Sequence, residues 1–225
     1  MDGILVVDKP QGMTSHDVVD FLRRRFRLKK VGHAGTLDPM ATGVLVMLIG
    51  ACTKLSARFT ADEKAYEGTI TLGAVSDTGD ACGAITPTGA PVTPTRERIE
   101  AAFRQFEGEI DQRPPMYAAV KVGGKKLYEL ARKGVTVTVE PRRITISSLA
   151  IRSIELPRVS FALTCSKGTY VRQLAVDIGE SLGCGAYLSA LRRTRSGPFA
   201  IDGAVSLEEL RQMTAAGLSA RLLAP

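Results

Sequence analysis

The sequence predicts a mixed α/β fold of the α+β kind, with helices flanking a central mixed, mostly antiparallel sheet. Three observations carry that reading. Short apolar runs alternate with polar residues at a period of two, as half-buried antiparallel strands do, for example Thr69-Ile70-Thr71-Leu72 and Thr136-Val137-Thr138-Val139. Apolar stripes at helical spacing lie between these runs. Strands and helices follow no steady βαβ rhythm, which argues against an all-parallel sheet. With 44% hydrophobic residues in 225, the chain has enough apolar material for a sizeable core. No break in composition marks two independent domains, so residues 1–225 read as one.

Taken in order, Ile4–Val7 is a strand, and Val18, Val19, Leu22 and Phe26 give the first helix its apolar face. Val44–Ile49 and Tyr66–Leu72 are strands. Ala74 to Pro94, rich in Gly, Pro, Thr and Asp, reads as a long surface loop or irregular hairpin. Thr95 caps a helix whose core face is Ile99, Ala102, Phe103 and Phe106. Tyr117–Val122, Val135–Val139, Ile144–Ile151 and Val159–Cys165 are strands, with a short helix over Leu127–Lys133 that Gly134 ends. Val171, Leu174, Ala175, Ile178 and Leu182 form the cleanest stripe in the chain. Ser206 with Glu209 is a capping box ahead of Leu207 and Leu210.

Composition narrows the function. The longest apolar run, Val44 to Ala51 with Gly50 included, is too short to span a bilayer. Asp2 and Asp8 interrupt the N-terminal residues and no basic segment precedes an apolar stretch, so no signal peptide is expected. The 4 cysteines are scattered without a CxxC pair and there are only 2 histidines, a pattern of a reduced, cytoplasmic protein without a structural metal. The net charge is +7, and it is clustered. Arg113 to Arg143 holds eight Lys or Arg against Glu129 and Glu140. Arg23, Arg24, Arg25, Arg27, Lys29 and Lys30 form a second cluster, and Arg192, Arg193 and Arg195 a third. Concentrated positive charge is the footprint of a polyanion, because each neutralised phosphate releases counterions.

The most informative segment is Gly32-His33-Ala34-Gly35-Thr36-Leu37-Asp38-Pro39-Met40-Ala41-Thr42-Gly43, directly before the strand Val44–Ile49. Glycines, a proline and an acid make a backbone that turns tightly and holds one carboxylate near a strand start. Taken alone, an Asp before Pro in such a segment is a turn former. It is not a phosphate-cradling loop, because the GxxxxGK[ST] spacing is absent.

GHAGTLDPMATG resembles the central motif of the TruB family, the bacterial tRNA pseudouridine 55 synthases. The resemblance extends to DKPQGMTS at 8–15, KAYEG at 64–68, PPMYAAVKVGGKKLYELARKG at 114–134, SKGTYVRQLAVDIG at 166–179 and LRRTRSGPF at 191–199. The segments come in the family's order and cover nearly the whole chain. Gly35-Thr36-Leu37-Asp38 also follows the pattern of this subfamily, where ribosomal RNA synthases carry Arg-Leu-Asp and anticodon-arm synthases Arg-Thr-Asp. The resemblance implies a pseudouridine synthase fold and action on the T-arm stem-loop of tRNA, and a monomer is expected because no heptad or other oligomer motif appears.

Uridine-to-pseudouridine conversion breaks an N-glycosidic bond, turns the base and rejoins it through carbon. It involves no net redox change and no group donor, so neither a nucleotide cofactor nor a metal is expected. A covalent route needs an ionised nucleophile, and a carboxylate with an ordinary pKa of about 3.9 is one at neutral pH. Burial in a base pocket would raise that value and a nearby Arg would offset the rise. The resemblance implies that Asp38 is the nucleophile and Arg172 its ion-pair partner. Arg172 sits beside the stripe that begins at Val171, near the helix start, where a cation costs roughly 0.3–1 kcal/mol unless an anion is close.

By the same comparison Tyr66 stacks on the flipped-out base and is a candidate general base for the C5 proton. His33, otherwise a turn residue or a satisfied polar group, would fill the space that the flipped nucleotide leaves. Leu191, taken as a helix leucine, would form an apolar wall of the pocket. Lys9 and Pro10 would support the catalytic loop, with a phosphate contact from Lys9. The segment at about 114–142 corresponds to a basic insertion that folds over bound RNA, with Gly123-Gly124 as its turn and Lys121, Lys125, Lys126, Arg132 and Lys133 reaching phosphates. Many family members continue into a small RNA-binding PUA domain, and this sequence stops about where it would begin. The alternative function is a tRNA-binding or folding protein whose catalysis is secondary or lost. The joint presence of Asp38, Tyr66 and Arg172 separates the two, because a pure binder has no need of a carboxylate facing phosphates.

Overall fold

A computed structural model describes residues 1–224 of the chain except 119–120, 123, 128–134, 136 and 138, with the backbone alone at 121–122 and 125–126. The chain begins with β1 (Gly3–Lys9), α1 (Ser15–Phe26), β2 (Val31–Ala34), β3 (Thr42–Ile49), a 3-10 segment (Gly50–Leu55), α2 (Ser56–Thr60) and β4 (Lys64–Leu72). Next come β5 (Ala74–Ser76), β6 (Ile85–Pro87), α3 (Arg96–Arg104), β7 (Gly108–Gln112), β8 (Lys121–Val122), β9 (Lys125–Lys126), β10 (Arg142–Glu155), β11 (Arg158–Cys165) and α4 (Val171–Leu182). They are followed by β12 (Ala186–Ser196), β13 (Phe199–Ala200), β14 (Val205–Ser206), α5 (Leu207–Gln212) and α6 (Ala215–Arg221). None of the described helices is long and apolar enough to cross a membrane.

The residues gather into two compact units, one formed by Met1–Glu67 with Leu191–Pro225 and the other by Gly68–Ala190. The boundaries fall inside β4 and β12. A strand keeps its residue pattern through such a point, so neither boundary leaves a mark in composition.

The first unit is organised on β3. Gly43 to Ile49 are all buried, which is why this strand reads as a continuous apolar run. Along one edge β3 pairs antiparallel with β1, from Gly3↔Ile49 to Lys9↔Gly43. Its other edge is shared: β2 takes Ile49 to Val46, ending at Ala34↔Val46, and β12 runs parallel at Arg192↔Thr42 and Arg193↔Gly43. The residues between Ala34 and Thr42 therefore leave the sheet in the gap between β2 and β12. Beneath lies a core of Ile4, Val6, Ala34, Val44, Val46, Leu48, Cys52 and Phe59, with Phe199 edge-on to Phe59 at 5.5 Å. α1 opens on a capping box between Thr14 and Asp17 and buries Val18, Val19 and Leu22.

In the second unit β10 and β11 form a long antiparallel hairpin, and β7 pairs with the outer edge of β10. β4 lies on the other side of β11. A Cβ on Gly68 would stand 2.5 Å from the Phe161 ring, so the glycine that ends the KAYEG segment gives that ring its place. Phe161 in turn meets Phe103 of α3 edge-on at 6.1 Å. The Gly- and Thr-rich stretch is a small hairpin, β5 with β6.

The expected strands at Ile4–Val7, Val44–Ile49, Tyr66–Leu72, Ile144–Ile151 and Val159–Cys165 are present, as are the helices capped by Thr95 and Ser206. Four readings need revision. Leu191 is not on a helix but in β12, whose charged second half masks a strand. Tyr117 lies in a turn, and of the run to Val122 only Lys121–Val122 is strand among the described residues. Val135, Val137 and Val139 are not in a strand. β2 and β7 were not anticipated, being short and Gly- or charge-bearing. The helix expected over Leu127–Lys133 lies, beyond Leu127, outside the described residues.

Candidate active site

The loop between β2 and β3 presents Asp38, which is half-buried. Its neighbours fix it from several sides. Leu37, Met40 and Ala41 are buried and serve as apolar anchors. The Leu37 amide donates to Ser15 Oγ at 2.8 Å, and that hydroxyl donates to the Leu37 carbonyl at 3.1 Å, so the first residue of α1 satisfies both backbone groups of the residue before Asp38. The Gly12 amide donates to the Pro39 carbonyl at 2.8 Å, and Ala41 N–H closes a turn on the Asp38 carbonyl at 3.0 Å.

Lys9 supports this arrangement from below. It is fully buried, and its ammonium donates to the Pro10 carbonyl at 2.9 Å and the Met13 carbonyl at 2.7 Å. These bonds shape the turn that carries Gly12 to Pro39. The ammonium is thus turned inward. Lys64 is buried as well, donating to the Thr60 carbonyl at 2.7 Å and to the Asp62 carbonyl. Two residues on, Tyr66 is half-buried in β4.

His33 stands in β2 opposite Met47. Its Nδ1 is buried without a hydrogen-bond partner, and its pKa lies below the ordinary histidine value, first because burial penalises the charged ring and then because Arg193 and His16 add positive charge. The ring is therefore neutral at pH 7. Leu191 is buried in β12, two residues from Arg193 on the same strand face.

Arg193 was not singled out in the sequence beyond its place in a basic cluster. It is 1% exposed, and it donates from Nε to the Val44 carbonyl at 2.7 Å and from Nη2 to the Gly35 carbonyl at 3.0 Å. Its neighbour Arg192 makes a two-pronged contact with Asp8, at 2.7 and 3.1 Å.

Arg172 belongs to the second unit, at the start of α4. Nη1 donates to the Thr78 carbonyl and Nη2 to the Tyr117 carbonyl, both at 2.9 Å. Nε lies 3.5 Å from Oδ2 of Asp80, and both side chains are 6% exposed. A cation in the first turn of a helix is unfavourable unless an anion is near, and Asp80 is such an anion. Asp80 itself accepts from Thr78 Oγ1 at 2.8 Å and the Cys82 amide at 2.9 Å. Gly79, at φ +76°, passes beside the Arg172 backbone. Asp80 was missed because its stretch, Ser-Asp-Thr-Gly-Asp, has the composition of a solvated loop. So was Gln112, whose side-chain amide brackets Tyr170, accepting from its N–H at 2.8 Å and donating to its carbonyl at 3.1 Å. Tyr170 has no side-chain cap to offer α4, and Gln112 orders the helix start in its place.

Of the basic insertion, β8 and β9 form a hairpin through Gly124 at φ +83°, with Lys121 opposite Lys126. Ala118, Leu127 and Val139 make a small buried cluster against Tyr170. Arg132 and Lys133 lie outside the described residues. Among the described residues no group of three or more His, Cys, Asp or Glu is placed to hold a metal ion.

Known proteins are similar to this chain over nearly its whole length. The family model described as TruB family pseudouridylate synthase, N-terminal domain, matches residues 23–171, and that of the tRNA pseudouridylate synthase B C-terminal domain matches 172–223. A tRNA pseudouridine synthase B of Opitutus terrae is 49% identical over 224 residues, covering 99% of this chain and 92% of its own. That of Syntrophotalea carbinolica is 50% identical over 213 residues, covering 95% of this chain and 70% of its own. Among solved structures, a chain of a Cbf5–Nop10–Gar1 complex aligns with TM-score 0.74 at 32% identity over 93% of this chain. The present chain spans 54% of that one, about half its length.

Proposed function

Because this chain belongs to the TruB family and is a pseudouridine synthase, we propose that it isomerises uridine 55 in the T-arm of tRNA to pseudouridine, with Asp38 as the nucleophile. The observation that carries the proposal is the loop bearing Asp38: one half-buried carboxylate on a backbone held by Ser15, Gly12 and Arg193. A loop held so firmly can present its carboxylate for attack, since orientation of the reacting groups is a large part of rate acceleration.

The reaction needs the target base flipped out of the T-loop. Asp38 bonds to C1′ as the N1–C1′ bond breaks, the base turns, C5 bonds to C1′ as the bond to Asp38 breaks, the C5 proton leaves and N1 takes up a proton. Tyr66 stacks on the base and takes that proton, and Arg172 keeps Asp38 ionised. His33, neutral and at the loop's entry, occupies the place of the extruded nucleotide, and Leu191 lines the base pocket. Bonds made and broken balance within one nucleoside, so these side chains suffice. The basic insertion, with Lys121, Lys125, Lys126, Arg132 and Lys133, holds the RNA backbone. The enzyme works as a monomer in the cytoplasm.

The test is tritium release from a T-arm stem-loop labelled at C5 of uridine, with wild type beside Asp38→Ala and Asp38→Asn. Wild type releases tritium and both variants are at background while still binding the stem-loop. A wild type that binds without release, on the stem-loop and on full-length tRNA, would leave a tRNA-binding or folding protein.

A further inference from the structure

The edge of β3 is interrupted. β2 stops pairing at Ala34↔Val46 and β12 pairs only as far as Arg193↔Gly43, so the carbonyl of Val44 falls in the break between the two neighbouring strands. A buried carbonyl there needs a donor. The Arg193 guanidinium does so through Nε at 2.7 Å, and the same planar group reaches the Gly35 carbonyl through Nη2 at 3.0 Å. Gly35 is the first residue beyond β2, and Val44 follows the last glycine of the motif. One side chain therefore ties the entry of the Asp38 loop to its exit.

Gly43 leaves room for the backbone that carries this clamp. A Cβ on Gly43 would stand 2.2 Å from the Arg193 carbonyl oxygen, and one on Gly35 would be 3.4 Å from Arg193 Nη1. Each also has a φ that side chains avoid, +99° and +85°. The guanidinium is almost wholly buried, and no carboxylate of a described residue stands within 4.0 Å of it. Burying an arginine without a carboxylate is costly, and packing alone would be better served by an apolar side chain. Its charge is felt nearby, since it is the second cause of the lowered pKa of His33.

We infer that Arg193 is the positioning residue of the catalytic loop, bridging Gly35 and Val44 so that Asp38 is held in its attacking geometry. The inference rests on Asp38 being the nucleophile. A lysine keeps the charge but presents a single ammonium, which cannot reproduce a rigid fork across two carbonyls.

The experiment measures single-turnover tritium release at saturating stem-loop RNA for wild type, Arg193→Lys and Arg193→Met. RNA affinity and folded fraction are measured alongside, and rates are taken per folded molecule. Misplacing a reacting group by about 1 Å costs on the order of 100-fold. Arg193→Met is expected to lose about that factor and Arg193→Lys to recover part of it, both with RNA affinity near wild type. Rates within twofold of wild type for both variants overturn the inference, as does a loss confined to RNA affinity. If neither variant folds, Arg193 is a core residue only, and the inference fails as well. An inactive wild type would instead strike at the assignment of the reaction itself.

Discussion

At the residue scale, His33 shows how the site sets the charge of a group that composition alone leaves open. Burial, then Arg193, then His16 push its pKa below the ordinary 6.5. The unfolded chain takes up that proton near pH 6.5 and the folded chain only at lower pH, so in between the unfolded state binds more protons. Stability is then complete above pH 6.5 and declines as pH falls through that window towards the folded-state value. Urea unfolding at pH 7.5 and 5.5 should show a larger loss on acidification for wild type than for His33→Gln, and equal losses would contradict the assignment. Asp38 was singled out by the resemblance of its motif to a family, since an Asp before Pro in a Gly-rich segment is by itself a turn former. Arg193 was not. Read in sequence, Leu-Arg-Arg-Thr-Arg is a solvated basic run, and nothing local reveals that the second arginine turns inward to satisfy carbonyls more than 140 positions away.

At the scale of elements, local signals served where the element is held by its own residues. The Ser206–Glu209 box and the Thr95 cap were readable because cap and helix are contiguous. β12 was not, because its identity as a strand comes from pairing with β3 and overrides a charged, helix-tolerant sequence. α4 carries a second lesson. Gly179 interrupts a good helix, and on propensity alone alanine there would gain about 1 kcal/mol. But a Cβ at Gly179 would lie 2.2 Å from the Ala186 amide nitrogen, at the start of β12, where backbone cannot yield. Gly179→Ala should therefore destabilise, by about 1–3 kcal/mol as other overpacked cores do, read as a lower urea midpoint. A higher midpoint would mean that α4 can move off β12 at little cost.

At the scale of the whole molecule, the net charge of +7 and its clustering set how RNA is gathered before any base is read. Raising monovalent salt from about 50 to 200 mM should weaken binding of the T-arm stem-loop by about tenfold or more, followed by fluorescence anisotropy. A flat response would mean that the basic insertion does not meet phosphates. The charge was plain in the sequence, whereas the division into two units was hidden because both boundaries lie within strands. The same long-range construction bears on the order in which the protein is made. Gly35 waits 158 residues for the side chain that closes its loop, and β1 waits nearly 200 for Val205 to pair with Val7. On the ribosome the Asp38 loop is complete in sequence early but gains its bonds to Arg193 only when the last quarter of the chain has emerged. A half-made chain thus carries Asp38 without the side chain that bridges the ends of its loop.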